Sequence, residues 1–525
     1  MELIRKYPRS SGVLLPITTL HGPFGIGVMG AEAREFIDFL CKAGFHAWQV
    51  LPVEHTGICN SPYRCISAYA GEPMLIDPRI LQEMGLVTEQ DIAQRMYGMN
   101  DSYVEYETIR EKQWNLLRVA FSRISDKTYK DFKPFWLDDY ALFISIKQHF
   151  NFEAWFKWPD ADLRSHDTKT LNEYREKLSE DIEFHKFVQW LFDLQWSKLR
   201  AYANERGISI IGDMPIYVSD DSAEVWSRVE LFDGDADGNF AAVGGCPPDY
   251  FTPDGQHWGN PIYNWELHKS ENYEWWINRL KATLERYDVV RLDHFRGFES
   301  YWRIPGTETT AKKGKWTKGP GMSLFDALEK ALGNLSLSVI AEDLGIIDDR
   351  VVQLLKDTGL RGMRVLQFGF LGDEFNLPHN YPEEVTAYTG THDNTTLLSW
   401  FFGLLQEDRD KALFYTGFEG DWTTGGPNCP IIKAWIRTLF MTSASLTIVP
   451  IQDLLGYGAD TRTNTPGTPT GNWRFRIREG VLNEIDTGFY FELHKTFQRE
   501  DSVKSFKPRP KKKTIPLEEI DYEIM

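Results

Sequence analysis

Short apolar runs that end in a carboxylate recur along this chain, with helix-like segments between them. Residues 208–213 read Ile-Ser-Ile-Ile-Gly-Asp, and residues 339–345 repeat the pattern as Val-Ile-Ala-Glu-Asp-Leu-Gly. Such runs are typical of buried parallel strands, and their alternation with amphipathic segments indicates βα units. Eight candidate strands lie near residues 48, 74, 208, 289, 339, 363, 387 and 445. The sequence therefore predicts a (β/α)8 TIM barrel with mostly helical insertions between the strands.

The run at 289–297, Val-Val-Arg-Leu-Asp-His-Phe-Arg-Gly, carries the most charge at a predicted strand end. In a (β/α)8 barrel the C-terminal ends of the strands face the active site, so Asp293 is a candidate nucleophile. Arg291 lies two positions earlier and would keep that carboxylate ionised. The alternative is a structural Arg–Asp ion pair that closes the strand.

The chain has no repeat, low-complexity tract or Gly/Ser linker that would separate independent domains. We therefore expect residues 1–525 to form a single catalytic barrel. Long insertions are predicted at 79–207 after strand 2, at 214–285 after strand 3 and at 401–440 after strand 7. The biased end, 505–525, is predicted to be a solvated tail.

Composition narrows the class of ligand. The chain holds 18 Trp, 22 Tyr and 33 Phe, and aromatic rings suit the flat C–H faces of sugars. The net charge of −18 argues against nucleic acid or an anionic membrane as partner. Five scattered cysteines without a Cys-x-x-Cys motif indicate free thiols in a reducing compartment. No signal peptide or membrane span is evident, so we expect a cytoplasmic protein.

Three acids at predicted strand ends suggest the chemistry. Asp293, Glu342 and Asp393 are spaced by about fifty residues each, which fits the ends of strands four, five and seven. Glycoside chemistry uses one carboxylate to attack the anomeric carbon and a protonated one to release the leaving oxygen. A third can hold the sugar hydroxyls. Crowding by the other carboxylates is expected to raise the pKa of Glu342.

Metal and cofactor sites are the competing readings. His294 and His392 adjoin the acids, but neighbours along a strand point to opposite faces, so a metal site is not predicted. Asp233-x-Asp235-x-Asp237-Gly238 resembles half of a calcium loop, yet its twelfth position is Gly244; an acidic turn is the better interpretation, and ion binding stays open. Gly-Ile-Gly at 25–27 lacks a preceding strand of the right length, so no dinucleotide or other cofactor is predicted.

Residues from about 10 to 480 resemble the amylomaltases, the disproportionating 4-α-glucanotransferases of the α-amylase clan, in their short bacterial or plastid form. The motifs that carry the resemblance are Ser11-Gly12-Val13-Leu14-Leu15, Trp48-Gln49-Val50-Leu51-Pro52, Ser61-Pro62-Tyr63, Gly212-Asp213-Met214-Pro215-Ile216, Pro247-Pro248-Asp249-Tyr250-Phe251, Gly255-Gln256-His257-Trp258-Gly259-Asn260-Pro261, Arg291-Leu292-Asp293-His294-Phe295-Arg296-Gly297, Ala341-Glu342-Asp343-Leu344-Gly345, Thr391-His392-Asp393-Asn394 and Asn464-Thr465-Pro466-Gly467-Thr468.

The resemblance implies a role for each of these positions. Asp293 would be the nucleophile, Glu342 the acid/base and Asp393 the transition-state stabiliser. The implied substrate-binding residues are Ser61, Tyr63, Asp213, Asp249, Tyr250, Gln256, Trp258, Arg291, His294, His392 and Asn464. The resemblance also implies an active-site flap at about 244–261, whose 247–261 loop lines the acceptor side, and no C-terminal β-domain. Cys246 stands where relatives often carry a small aliphatic residue, which leaves acceptor preference open.

The activity implied by the resemblance is transfer of a segment of a linear α-1,4-glucan, with retention, to the 4-hydroxyl of another glucan, glucose or maltose, in starch, glycogen or maltodextrin metabolism. An α-amylase-like hydrolase is the alternative within the class. A glucan-binding scaffold that has lost catalysis is the alternative outside it. Chain-length preference, cyclic products and oligomeric state are not predicted.

Overall fold

The computed structural model describes residues 7–57, 59–96, 100–125, 127–248 and 253–503. The predicted site residues Asp249 and Tyr250 and the predicted tail at 505–525 lie outside the described residues. No helix in those ranges is both long and apolar enough to cross a membrane.

Eight parallel strands form one barrel. The strands of the described residues, in chain order, are β1 (Ser10–Leu14), β2 (Ala47–Gln49), β3 (Ser209–Met214), β4 (Ala242–Cys246), β5 (Gln256–Pro261), β6 (Val289–Leu292), β7 (Ser300–Pro305), β8 (Lys315–Lys318), β9 (Val339–Ala341), β10 (Gly362–Val365), β11 (Val385–Tyr388) and β12 (Leu446–Pro450). The parallel sheet has the order β10-β11-β12-β1-β2-β3-β6-β9. A parallel bridge between Ile340 and Arg361 joins β9 to β10. The predicted (β/α)8 barrel is confirmed.

One predicted strand is wrong. Residues 73–75 of the candidate strand near 74 form a 3-10 helix, because Pro73 occupies its first position and the carboxylate of Glu72 accepts from the Met74 amide. Asp77 then caps the next helix. The missing barrel strand is β1, which pairs with β12 on one side and β2 on the other. Strands four, five and seven are β6, β9 and β11, as predicted.

Helices surround the barrel and fill most of the insertions. They are α1 (Ala31–Ala43), α2 (Pro78–Glu83), α3 (Glu89–Met96), α4 (Tyr106–Arg123), α5 (Leu137–His149), α6 (Ala161–Arg164), α7 (Thr168–Lys177), α8 (Ser179–Glu205), α9 (Ala223–Ser227), α10 (Trp265–Ser270), α11 (Glu274–Arg286), α12 (Met322–Leu332), α13 (Asp349–Thr358), α14 (Leu366–Gly369), α15 (Leu397–Gly403), α16 (Gln406–Thr416), α17 (Pro430–Met441), α18 (Ile451–Leu454) and α19 (Thr487–Phe497). Helices α2 to α8 lie between β2 and β3, and the described residues after β12 contain no further strand.

An antiparallel sheet, which the sequence pattern did not indicate, stands beside the fourth barrel strand. Its order is β5-β4-β7-β8, and β7 begins shortly after β6 ends. Strand β4 reads Ala-Val-Gly-Gly-Cys, too poor in β-branched residues to predict a strand. Its glycines have a packing reason: a Cβ on Gly245 would lie 2.1 Å from the carbonyl oxygen of Gln256. In this sheet the glycines allow two backbones to approach closely, so the strands form without the alternation of apolar side chains that would have predicted them.

The barrel interior is a separate apolar cluster. Its members come from most of the parallel strands and include Leu14, Ala47, Ile211, Val289, Ile340, Met363, Val365, Tyr388, Leu446 and Ile448. Each such aliphatic side chain contributes about 1.5–3 kcal/mol on burial. The Tyr388 hydroxyl, which is also inside, donates to Gln49 Oε1 at 2.9 Å. A packed interior of this kind fixes the strand ends on which the site is built.

Candidate active site

Arg291 joins two carboxylates at the ends of neighbouring strands. Its Nη1 lies 2.8 Å from both oxygens of Asp213 and 2.9 Å from Asp293 Oδ1. The β3–β6 register places Asp213 directly beside Arg291, and burial of both requires that their charges be paired. The Asp293 side chain is 25% exposed. Asp213 is therefore the fully buried partner of the arginine, whereas the Asp293 carboxylate is partly exposed.

Glu342 follows β9 and lies against the same guanidinium. Its Oε2 is 4.0 Å from Arg291 Nη2, and its two oxygens accept the amides of His294 at 2.8 Å and Leu344 at 2.9 Å. Burial raises the pKa of Glu342 to about 8, with the Asp293 charge adding to the effect and Arg291 opposing it. The direction is the one predicted, and the expected crowding by a carboxylate contributes to it, but burial is the larger cause.

His294 connects Glu342 to the antiparallel sheet. Its backbone is left-handed, with φ 50° and ψ 48°, and this conformation directs its amide to Glu342. Its ring meets Trp258 edge-on, with centroids 4.8 Å apart. Burial lowers the pKa of His294 to about 4, so the ring is neutral at pH 7. His294 thus positions Glu342 through its main chain and Trp258 through its side chain.

Asp393 enters the site from the loop after β11. Asn464 Nδ2 donates to its Oδ1 at 2.6 Å, and its side chain is 44% exposed. The preceding His392 stacks on Tyr63, with centroids 5.2 Å apart and Nε2 2.9 Å from the hydroxyl. That hydroxyl also donates to Asp213 Oδ2 at 2.7 Å. A continuous series of contacts therefore links Asp393 to the Arg291 group.

Three comparisons bear on this arrangement. The family profile described as 4-alpha-glucanotransferase matches residues 15–483. The 4-alpha-glucanotransferase of Thermus thermophilus is 43% identical over 491 residues, covering 91% of this chain and 96% of that protein. The chain belongs to the 4-alpha-glucanotransferase family. The same-named protein of Streptococcus pneumoniae serotype 4 is 42% identical over 484 residues, covering 90% and 94%.

A solved structure extends the likeness to three dimensions. The amylomaltase from Streptococcus agalactiae, solved in complex with acarbose, superposes with a TM-score of 0.89 at 42% identity, covering 94% of this chain and 99% of that one. The resemblance drawn from the motifs is thus confirmed, and the protein is an enzyme of the 4-alpha-glucanotransferase class.

In this glucanotransferase the remaining predicted site residues occupy two places. Ser61 and Tyr63 share one turn, where Ser61 Oγ accepts from the Tyr63 amide at 3.3 Å. Gln256 and Trp258 lie on β5, where Trp258 Nε1 donates to Gln256 Oε1 at 3.0 Å. The edge-on contact of Trp258 with His294 brings β5 to the site.

The acids of the candidate calcium loop have protein partners, within the loop for Asp235 and outside it for Asp233 and Asp237. Asp235 Oδ1 accepts the amides of Asp237 and Asn239, each at 3.0 Å. Asp237 pairs with Arg164 at 3.0 Å, and Asp233 lies 3.7 Å from Arg303. Within the described ranges, no three His, Cys, Asp or Glu side chains are arranged to hold a metal ion. The arrangement is that of an acidic turn.

Sequence reasoning missed two residues that support Asp393. Asp453, buried on α18, accepts from Thr389 Oγ1 at 2.6 Å and from the Leu397 amide at 2.7 Å, so it holds both ends of the loop that carries Asp393. The apolar run at 445–453 ends on this carboxylate, and that signal could have found it. Arg462 donates to the Asp393 carbonyl, and no pattern around it distinguishes it from a surface arginine.

Proposed function

We propose that this enzyme transfers α-1,4-glucan segments by a retaining double displacement. Asp293 attacks the anomeric carbon of the donor while Glu342 gives its proton to the departing glycosidic oxygen, which leaves a covalent glucosyl-enzyme. Glu342, now a carboxylate, then takes the proton from the 4-hydroxyl of an acceptor, and that oxygen displaces Asp293. The two inversions at the anomeric carbon give net retention.

The observation that supports this most directly is the unequal environment of two acids beside one guanidinium. Asp293 Oδ1 lies 2.9 Å from Arg291 Nη1 in an ion pair, and its side chain is 25% exposed. Glu342 has a pKa of about 8, so it holds its proton at pH 7. Two neighbouring acids in such different environments can act as a nucleophile and a general acid. The ion pair and the burial thus support these two roles.

Asp393 suits the third role. Asn464 holds one of its oxygens, and the half-exposed carboxylate remains open to sugar hydroxyls. Arg291 contacts Asp293 and Glu342, and His392 contacts Asp393. Asp213, Tyr63, Ser61 and His294 form hydrogen bonds with this group of residues. We assign these residues, with Asn464, to substrate binding on that ground.

Transfer in place of hydrolysis requires that an acceptor hydroxyl reach the intermediate more often than water does. We assign Trp258 and Gln256 to the acceptor side, as the family resemblance implies. The supporting observation is that the Trp258 ring contacts His294, whose amide binds Glu342, and that Trp258 donates to Gln256. Linear α-1,4-glucans as donors, and glucose, maltose or another glucan as acceptors, follow from the same proposal, and it needs no cofactor.

Two wider expectations belong to the proposal. We propose one catalytic barrel with insertions at 79–207, 214–285 and 401–440, which agrees with a parallel barrel formed by strands from both ends of the chain. We also propose a cytoplasmic location, for which the free thiols of Cys41, Cys59, Cys65 and Cys429 are the supporting observation.

The Asp293→Asn variant tests the nucleophile. With maltotriose as the only sugar, the wild type is expected to form longer and shorter maltooligosaccharides, and the variant to lose at least about a thousand-fold in rate, because covalent catalysis is removed while binding remains. The matched control is Asp410→Asn on the exposed face of α16, which keeps full activity.

Each alternative has its own outcome in this assay. Reducing ends without longer products from the wild type would indicate a hydrolase, and no products at all would indicate a binding scaffold. Unchanged transfer by the folded Asp293→Asn variant, checked by circular dichroism, would remove Asp293 from the mechanism.

A further inference from the structure

A cleft of about 440 Å³ lies on the flank of the barrel, between α8, α11 and the segment 132–136. Its volume is within the range of small-ligand sites. The carboxylates of the active site lie at the C-terminal strand ends, whereas this cleft is bounded by outer helices and extends down α8 as far as Asn204. None of the predicted site residues lines it, so it is a second concave surface, adjacent to the proposed substrate-binding residues Tyr63 and Asp213.

The cationic groups of the cleft are already neutralised. Arg286 Nη1 pairs with Glu54 at 2.8 Å, and both side chains are mostly buried. Arg200 pairs with Asp288 at 2.8 Å and also donates to the Glu285 carbonyl at 2.5 Å. A guanidinium held in this way has little left to offer a phosphate or carboxylate ligand. The cleft is accordingly suited to a neutral ligand.

One wall of the cleft is aromatic. Trp136 is half-buried, and its ring is nearly parallel to that of Tyr69, with an interplanar angle of 11° and centroids 6.3 Å apart. Phe132 meets Trp136 edge-on at 6.4 Å. These contacts hold the indole in one orientation, so a ligand that stacks on it loses little side-chain entropy. Rigid aromatic faces of this kind suit the C–H faces of sugar rings.

Helix α8 contributes acceptors for hydroxyl groups. Asp193 and Ser197 are one turn apart on α8, and both exposed side chains line the cleft. Within the described part of the chain, no donor forms a hydrogen bond to the Asp193 carboxylate. A carboxylate without a donor, lining the same cleft as a fixed indole, suits a polyhydroxylated ring that stacks on the indole and donates to the carboxylate.

We propose that this cleft is a second binding site for a neutral α-glucan chain, with Trp136 as the stacking platform and Asp193 as the hydroxyl acceptor. The choice of sugar rests on the proposed function. A glucan chain held in the cleft raises the local concentration of the same chain at the active site. The site therefore increases kcat/KM for long glucans but not for short ones.

The test compares substrates of two lengths in the full-length enzyme. For Trp136→Ala and Asp193→Asn we expect kcat/KM on amylose to fall about five-fold, while kcat/KM on maltotriose, too short to engage both sites, changes less than two-fold. The controls are Phe414→Ala, an exposed aromatic on α16, and Glu180→Gln, an exposed acid on α8. Equal losses on both substrates, or no loss on amylose for either variant, would overturn the proposal.

Direct binding provides a second measurement. In native gels containing amylose, the Asp293→Asn protein is expected to be retarded. A second substitution in the same protein, either Trp136→Ala or Asp193→Asn, is expected to reduce that retardation clearly. Undiminished retardation of both double variants would refute the second site. Asp193→Asn, on the exposed face of a helix, keeps the test decisive if loss of the Trp136 ring unfolds the 132–136 segment. Failure of the nucleophile assignment would show separately, as maltotriose transfer by Asp293→Asn.

Discussion

The buried acid Glu342 should leave a measurable signature in the stability of the enzyme. The Glu342→Gln variant keeps the size of the side chain but removes its titration. It also cannot supply a proton, so transfer from maltotriose is expected to be lost. The informative quantity is the difference in unfolding free energy between the variant and the wild type as a function of pH.

Burial raises the pKa of Glu342 from its ordinary value of 4.5 to about 8. Below pH 4.5 the carboxyl is protonated in the folded and the unfolded chain. Between 4.5 and 8 the folded chain keeps a proton that the unfolded chain releases, so the wild-type stability contributed by this group falls as pH rises. Each pH unit is worth about 1.4 kcal/mol, which gives about 5 kcal/mol in total. Glutamine does not titrate, so the stability of the variant relative to the wild type rises between pH 4.5 and 8 and stays constant above pH 8.

Thermal unfolding of both proteins at pH 5 and pH 8.5 measures this gain. With an unfolding entropy of about 2 cal/mol/K per residue, 1 kcal/mol shifts the Tm of a chain of 525 residues by about 1 °C. Three pH units are worth about 4 kcal/mol, so the variant's Tm relative to the wild type is expected to rise by about 4 °C. Titrating groups that do not interact with Glu342 are common to both proteins and cancel.

The surface variant Glu180→Gln is the matched control, and its Tm difference from the wild type should be the same at both pH values. The same constant Tm difference for Glu342→Gln would refute the argument, because it would mean that Glu342 titrates alike in the folded and unfolded chains. The wild-type rate offers an independent check: it should fall as pH rises through about 8, when Glu342 loses the proton it must donate.

Three further variants test the supports of the site. Tyr63→Phe removes the hydroxyl that donates to buried Asp213. It should lower the unfolding free energy by about 1–3 kcal/mol, seen as a lower Tm, and should also lower kcat; an unchanged Tm would show that the hydrogen bond is dispensable. Asn464→Ala removes the donor to Asp393 and should lower kcat/KM about ten- to hundred-fold with little change in Tm; a loss of rate accompanied by a large fall in Tm would contradict a specific role for Asn464. Asp453→Asn should lower kcat more than it raises KM, because an amide has one acceptor oxygen where the carboxylate has two, so one of the bonds to Thr389 and Leu397 is lost or reversed and the loop shifts; wild-type kinetics would show that Asp453 does not hold the loop.

The sequence was most informative where strands are rich in β-branched residues. The runs that form β3, β6 and β9 were predictable because buried parallel strands require such residues and because a charged residue stands next to the end of each strand. Strand β1 was missed, since Ser-Ser-Gly-Val-Leu has a weak strand pattern. The candidate strand at 74 failed because a proline with a capping acid before it specifies a helical turn over the same length.

Contacts between distant residues were not predictable from pattern. Tyr63, Asp213 and His392 come from three separate strand ends, and only the closed barrel brings them together. The pKa of Glu342 could be given a direction from its acidic neighbours, but its main cause is burial, which no local sequence reports. The antiparallel sheet depends on glycines that let backbones approach, so it too had no strand-like pattern.

The pairing of Arg291 has a consequence for inhibitors. One guanidinium faces the carboxyl groups of Asp213, Asp293 and Glu342, so an excess of negative charge remains even while Glu342 holds its proton. A ring in which a protonated amine replaces the oxygen or the anomeric carbon would be attracted to this field, whereas anionic sugar analogues would be repelled.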